Sequence, residues 1–159
     1  MKPKKITYEF APDLQKIAEE ISRFLFPHVQ ADNLKCFRSY GSSAKSTIAR
    51  CHTIGKLMQM TIGTDAHYAL EFISEKFDKL STEDQIKTII HELMHIPKTF
   101  GGGFRHHDFV CDKNVNKHYV SYKRKKHDHK EDIFGLNELK WKNKDNIKKL
   151  REIKDEGFF

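Results

Sequence analysis

Five residues near the middle of the chain, His91-Glu92-Leu93-Met94-His95, have types and spacing suited to metal-assisted hydrolysis. On a helix, positions i and i+4 lie one above the other, so His91 and His95 can direct both imidazoles at one metal ion. Glu92 lies about 100° around the helix from His91. At this angle Glu92 cannot bind the metal together with the two histidines, but it is close enough to deprotonate a metal-bound water. The motif therefore predicts two metal ligands and a general base on one helix.

A third ligand is expected just after this helix, because a catalytic zinc requires three protein ligands and an open fourth position. Glycines 101–103 permit the chain to reverse and return beside the helix. His106, His107 and Asp108 follow that turn. The two histidines are adjacent and point in different directions, so only one of them is expected to bind. Asp108 can instead orient a ligand histidine or replace it.

The segment HELMHIPKTFGGGFRHHD, residues 91–108, resembles the phage and archaeal metallopeptidases, small zincins distantly related to SprT-like proteases. Members of that group read approximately HELxHIP, then a Gly-rich loop, an Arg, one further residue and a His. Matched position by position, Arg105 takes the place of that Arg and His107 the place of the third ligand. His106 stands where a Pro is common. The resemblance is strongest over residues 81–122.

The resemblance implies a zincin fold, a Zn²⁺ cofactor and hydrolysis of peptide bonds in a protein or peptide substrate. The metal ligands that it implies are His91, His95 and His107. In that mechanism zinc polarises the scissile carbonyl, and Glu92 takes a proton from the bound water and passes it to the leaving amine. A further donor must stabilise the oxyanion. The candidate donors are Arg105, His106, His118, Tyr119 and Tyr122.

Helix signals surround the motif. Ser81 places a hydroxyl cap before Thr82, so the motif's helix should begin near Thr82, and Pro97 must stop it. A further helix is predicted beyond the glycines, with apolar residues at helical spacing up to Tyr122. Near the N-terminus, Asp13 is expected to cap a first helix that ends before Pro27.

Between the first helix and the motif, short segments rich in aromatic and β-branched residues are broken by turn signals. They predict four strands, at about 34–40, 47–53, 56–62 and 68–73, with a hairpin at Ile54-Gly55-Lys56. The strand at 68–73 can accept a substrate as an added β-strand if it is the sheet edge, but pairing in the core is equally compatible with its pattern. The predicted fold class is α+β and zincin-like, with a small antiparallel or mixed sheet.

Basic charge is concentrated near the C-terminus. The chain has 159 residues and a net charge of +7, and residues 113–159 hold 14 basic and 8 acidic side chains. We expect a metallopeptidase domain at 1–122 and a basic extension at 123–159. The run at 123–130 is interpreted as a solvated linker, and a weak helix is predicted at about 137–155.

The basic region supports a second hypothesis, a nucleic-acid-associated zinc-binding protein with a structural site. A third hypothesis combines the two functions: an SprT-like protease that acts on DNA-bound proteins. In both of these alternatives, the C-terminal extension would bind nucleic acid weakly and independently of its base sequence. A structural zinc site prefers four closed protein ligands and has no use for a carboxylate beside the first ligand. Glu92 and the count of three convincing ligands therefore favour the peptidase.

The expected location is cytoplasmic. No apolar stretch approaches the roughly 20 residues needed to span a bilayer, which excludes a membrane protein. The basic start of the chain is followed by acidic and polar residues rather than by an apolar signal core. Three cysteines without CxxC spacing argue against a disulfide framework and favour a reducing compartment.

Overall fold

The computed structural model describes residues 5–133, with side chains described up to residue 130. This part of the chain is α+β, with five α-helices and one four-stranded sheet. The strands are β1 (Thr7–Phe10), β2 (Leu34–Tyr40), β3 (Ala49–Thr53) and β4 (Tyr68–Ile73). The helices are α1 (Pro12–Leu25), α2 (Lys56–Ile62), α3 (Ser74–Phe77), α4 (Thr82–Met94) and α5 (Asp112–Ile133), with a short 3-10 turn at Ala31–Asn33.

The sheet is mixed, with the strand order β1-β2-β4-β3. Strands β2 and β4 are parallel, while β1 and β3 pair antiparallel to their neighbours. Strand β4 is therefore central, hydrogen-bonded on both sides, and cannot accept an added strand. The hypothesis that residues 68–73 form a substrate-binding edge is wrong, and the edge strand on that side of the sheet is β3.

One face of the sheet packs against helices to form the core. Paired side chains on this face, such as Cys36 and Leu70, are fully buried. Helix α1 contacts β2, helix α4 contacts β3, and the two helices contact each other. Because α4 contributes Ile89, Ile90 and Leu93 to this core with no exposed surface, the helix that carries the motif is rigidly seated.

The segment predicted as a strand at 56–62 forms helix α2, so the hairpin prediction at Ile54-Gly55-Lys56 is also wrong. Its Leu, Met and Gln residues are good helix formers. Gly63 ends the helix in the left-handed conformation, with φ of 74°. Periodicity in so short an apolar segment does not separate a strand from a helix. Strand β1, which contains only four residues, was not predicted.

The two predicted caps have different outcomes. Ser81 caps α4 as predicted, and its hydroxyl accepts a hydrogen bond from the Asp84 N–H at 3.2 Å. Asp13 does not cap α1, which begins one residue earlier with Pro12 and has no side-chain cap. The Asp13 carboxylate instead binds both terminal guanidinium nitrogens of Arg38, at 2.7 and 2.8 Å. This long-range ion pair competes with the local cap.

The chain divides into two units, with the boundary after Val120 inside α5. The basic run at 123–130 lies within this helix, so its interpretation as a linker is wrong. Most of its side chains are exposed to solvent. The helix predicted at 137–155 lies outside the described residues. No helix within residues 5–133 combines the length and apolar character needed to cross a membrane.

Candidate metal centre

Helix α4 carries three polar residues of the motif at its C-terminal end. His91 and His95 are half-buried, and Glu92 is only 6% exposed. The helix ends at Met94, with His95 as its C-cap residue. Pro97 follows two residues later and prevents continuation of the helix. Both imidazoles are therefore held at a fixed helix end beside a buried carboxylate.

The Gly-rich loop returns the chain to this helix end. The Arg105 N–H donates to the His95 carbonyl oxygen at 2.8 Å. In the opposite direction, His95 Nδ1 donates to the Arg105 carbonyl oxygen at 2.7 Å. These two hydrogen bonds close the loop and bring His107, two residues after Arg105, beside the motif.

The Tyr68 side chain of β4 holds the loop. The Tyr68 hydroxyl accepts from the Gly102 N–H and donates to the Gly103 carbonyl, both at 2.9 Å. Gly102 has a φ of 100°. A Cβ atom there would lie 2.6 Å from the Ile54 carbonyl oxygen and closer still to Gln59 Nε2. A glycine is therefore required at this position.

The imidazoles of His91, His95 and His107 face one another. One ring nitrogen from each lies within 4.8 Å of the other two, and the ring centroids are 4.9 to 5.6 Å apart. Since His95 Nδ1 carries the proton donated to Arg105, its Nε2 atom is free to bind a metal. The three nitrogens are close enough to share one ion.

Burial lowers the pKa of the His91 and His95 imidazoles. Further lowering comes from the neighbouring imidazoles, since a second positive charge nearby is unfavourable. Neutral imidazole is the form that binds a metal ion. His91 and His95 therefore fit a metal ion in both their positions and their protonation.

Glu92 lies beside the imidazoles in an environment that disfavours its charge. Burial raises the pKa of its carboxyl group to about 7, and a hydrogen bond from the Cys51 backbone N–H opposes this effect. A carboxyl group with a pKa near neutrality can both accept and donate a proton at pH 7. Cys51 belongs to edge strand β3, so the sheet edge positions this carboxylate.

Two clefts meet at the motif, and both are lined by His91 and Glu92. The first, of about 440 Å³, lies between β3 and the residues that follow the glycines, Phe104 to His107. The second, of about 540 Å³, runs from residues 46–49 past α4 to Asp112 at the start of α5. A linear ligand that occupies both clefts therefore passes directly over the motif.

Residues 6–143 match the family described as putative phage metallopeptidase. The chain belongs to this family. No curated protein and no solved structure matches it. The resemblance seen in the sequence is thereby confirmed. The family name implies a metal ion and protein substrates. In this chain His91, His95 and His107 are a group that could hold such an ion.

Two other candidate ligands, His106 and Asp108, lie outside the cluster. His106 is exposed and lines the 440 Å³ cleft. The carboxylate of Asp108, also exposed, accepts a hydrogen bond from the Phe109 N–H at 2.9 Å. The group that orients His95 is the Arg105 carbonyl, and not Asp108 as the sequence had allowed.

Two of the five candidate oxyanion donors, Arg105 and His106, line the cleft with the imidazoles. The Arg105 guanidinium stacks on the Phe109 ring at 3.2 Å. His118 lines a cavity of about 710 Å³ that Arg105 also lines. The Tyr119 ring lies 5.1 Å from the ammonium of Lys87, which lines the 540 Å³ cleft. Tyr122 belongs to the second unit.

Sequence reasoning missed two contributions to the site. One is the Cys51 N–H, a backbone group on β3 that no side-chain pattern reveals. The other is the Tyr68 hydroxyl, which holds the Gly-rich loop from β4. A tyrosine in an otherwise apolar strand could have signalled this role, because a buried hydroxyl normally has a hydrogen-bond partner.

Proposed function

We propose that this chain is a zinc-dependent metallopeptidase of the zincin type, with His91, His95 and His107 as the metal ligands and Glu92 as the general base. The observation that carries the proposal is the cluster of three imidazole nitrogens, all within 4.8 Å, beside a buried carboxylate. Membership of the putative phage metallopeptidase family supports it.

The ligand set favours zinc over other ions. Three imidazoles with no carboxylate among them suit zinc, and a catalytic zinc site keeps its fourth position open. The chemistry that zinc supplies when bound is Lewis acidity, which lowers the pKa of water and polarises a carbonyl group. His107 is the proposed third ligand, since His106 stands outside the cluster.

Glu92 performs the proton transfers of peptide hydrolysis. Its carboxylate takes a proton from the attacking water as the oxygen bonds to the scissile carbonyl carbon. It then gives that proton to the amide nitrogen as the carbon–nitrogen bond breaks, so no net proton is gained or lost. The carboxylate lines the same cleft as the three imidazoles, which suits both transfers.

The substrate is proposed to bind along β3 as an added strand. Among the strands of residues 5–133, this strand pairs only with β4. Its residues Ala49 to Cys51 line the cleft that contains the three imidazoles. Backbone pairing at a sheet edge recognises any extended polypeptide. A peptide in this position lies between Glu92 and the loop residues Arg105 and His106, which are the proposed oxyanion donors.

The peptidase domain is proposed to span residues 1–122, with a basic extension at 123–159, although helix α5 crosses this boundary. No contact within residues 5–133 favours nucleic-acid binding over peptide hydrolysis.

The test combines metal content with cleavage of an unfolded protein. Purified protein should hold about one zinc per chain by elemental analysis and should cleave dephosphorylated β-casein. A chelator should abolish cleavage, and added zinc should restore it. The matched control is the double variant His91→Ala/His95→Ala, which should hold no stoichiometric zinc. Stoichiometric zinc in that variant, or cleavage that is insensitive to the chelator, would contradict the proposal.

A further inference from the structure

Helix α2 exposes four large apolar side chains. Leu57, Met58, Met60 and Ile62 are 76, 51, 71 and 62% exposed. In this seven-residue helix, Gln59 is the buried residue. A surface helix normally turns its apolar side towards the core. Here the arrangement is reversed, and a contiguous apolar surface of this kind marks an interaction site.

The α2 surface is rigidly attached to the rest of the protein. Gln59 Nε2 donates to the carbonyl oxygens of Ile54 and Gly101, at 2.8 and 2.9 Å. Gly102 packs so closely on Gln59 that it has no room for a side chain. Helix α2 is thus fixed to the same Gly-rich loop that leads to His107, and its exposed side is already formed before a partner binds.

The α2 surface follows directly along the chain from the strand that lines the proposed substrate cleft. Strand β3, whose residues line the cleft, leads directly into α2 through Ile54 and Gly55. Phe104 adds a further apolar side chain, 43% exposed, on the loop side of that cleft. At about 3.3 Å per residue, an extended peptide bound beside Cys51 reaches the start of α2 within roughly five residues.

We propose that α2 binds an apolar segment of the polypeptide substrate, several residues away from the bond that is cleaved. This inference rests on the proposed peptidase function and assigns its substrate class, unfolded polypeptides with apolar stretches. The flexible thioethers of Met58 and Met60 adapt to apolar side chains of different shapes. The surface therefore selects for apolar character without requiring one sequence.

Two other occupants fit the α2 surface less well. A seven-residue helix is about 10 Å long, whereas a stable dimer buries about 800 Å² on each partner. A second copy of the chain would need much more surface than α2 provides. Helices that lie on membranes carry many basic residues on their polar side, and α2 contains a single lysine, Lys56.

The binding test uses the full-length, zinc-loaded Glu92→Gln chain, which can bind a substrate without consuming it. Fluorescein-labelled dephosphorylated β-casein is titrated at 0.15 M salt and followed by anisotropy. Changing all four exposed apolar residues of α2 to Gln should weaken binding at least tenfold. Met60→Gln alone, which keeps the proposal testable if the fourfold variant does not fold, should weaken it about threefold.

The matched control is Tyr8→Gln, which removes a 61% exposed aromatic ring from β1, at the opposite edge of the sheet. It should change the affinity less than twofold. Equal affinities of the α2 variants and the parent chain would overturn the proposal. So would a dimer, seen by sedimentation, that dissociates when α2 is substituted, because the occupant would then be a second copy.

Cleavage kinetics separate this proposal from the proposed function. In the chain that retains Glu92, the α2 substitutions should raise KM for β-casein at least tenfold and leave kcat unchanged, since α2 contacts the substrate away from the reacting bond. Cleavage with an unchanged KM would overturn the α2 site alone. Binding of β-casein through α2 without any cleavage would uphold the surface and contradict the peptidase function.

Discussion

His95 and Arg105 are joined by two hydrogen bonds that run in opposite directions. The Arg105 N–H donates to the His95 carbonyl oxygen at 2.8 Å, and His95 Nδ1 donates to the Arg105 carbonyl oxygen at 2.7 Å. The first bond closes the Gly-rich loop, and the second fixes the tautomer and direction of a proposed metal ligand. Loop conformation and metal affinity should therefore change together.

Gly102 provides the sharpest test of this coupling. Gly102→Ala should lower the unfolding free energy by about 1–3 kcal/mol, because the residue has a φ of 100° and a Cβ atom would overlap Gln59 and Ile54. Zinc affinity should fall with it. Gly103→Ala is the matched control, since a Cβ atom there meets nothing within 4 Å, and it should change stability by less than about 0.5 kcal/mol. Thermal unfolding and zinc titration measure both effects, and equal behaviour of the two variants would contradict the coupling.

The adjacent histidines should differ in their effects on metal binding. His107→Ala removes one of the three clustered imidazoles and should lose most of the zinc affinity, while His106→Ala should keep it. Calorimetric titration of zinc into the metal-free variants makes the comparison. A loss of zinc affinity confined to His106→Ala would show that the third ligand is His106 and not His107.

Glu92→Gln should separate metal binding from chemistry. The amide keeps the size of the side chain but cannot take a proton, so cleavage should fall about 10²- to 10⁴-fold. Zinc content should stay at the level of the unchanged chain, because the carboxylate is not a proposed ligand. Elemental analysis and β-casein cleavage provide the two measurements. Wild-type cleavage by this variant would remove Glu92 as the base.

Because the pKa of Glu92 is raised, the unfolding free energy of the metal-free protein should depend on pH. Burial raises this pKa from 4.5 to about 7, so the neutral carboxyl group contributes fully to stability below about pH 4.5. That contribution is lost as the pH rises from about 4.5 through 7, because the unfolded chain has released its proton while the buried group still holds one. Relative to Glu92→Gln, the unchanged chain should lose about 3 kcal/mol of unfolding free energy between pH 4.5 and 8. Urea unfolding of both metal-free chains measures the difference. A constant difference across this range would show that Glu92 is not buried as a neutral acid.

Local sequence was sufficient to predict the main features of helix α4. The cap at Ser81, the start at Thr82 and the stop before Pro97 are all short-range effects, because capping and proline chemistry act within one helical turn. The i, i+4 spacing that places His91 and His95 together is equally local. Strands β2 and β4 were also predicted at their observed positions, since their aromatic and branched residues lie between clear turn signals.

Tertiary structure decided the features that depend on distant segments. The edge position of β3, and with it the Cys51 contact to Glu92, follows from strand order, which no single strand encodes. Helix α2 was mistaken for a strand because periodicity in so short an apolar segment does not separate the two. The bonds from Gln59 to the Ile54 and Gly101 carbonyls, which attach it to the Gly-rich loop, appear only in the folded chain. The position of His107 beside α4 likewise depends on hydrogen bonds that close only when the loop, β4 and the helix end are packed together.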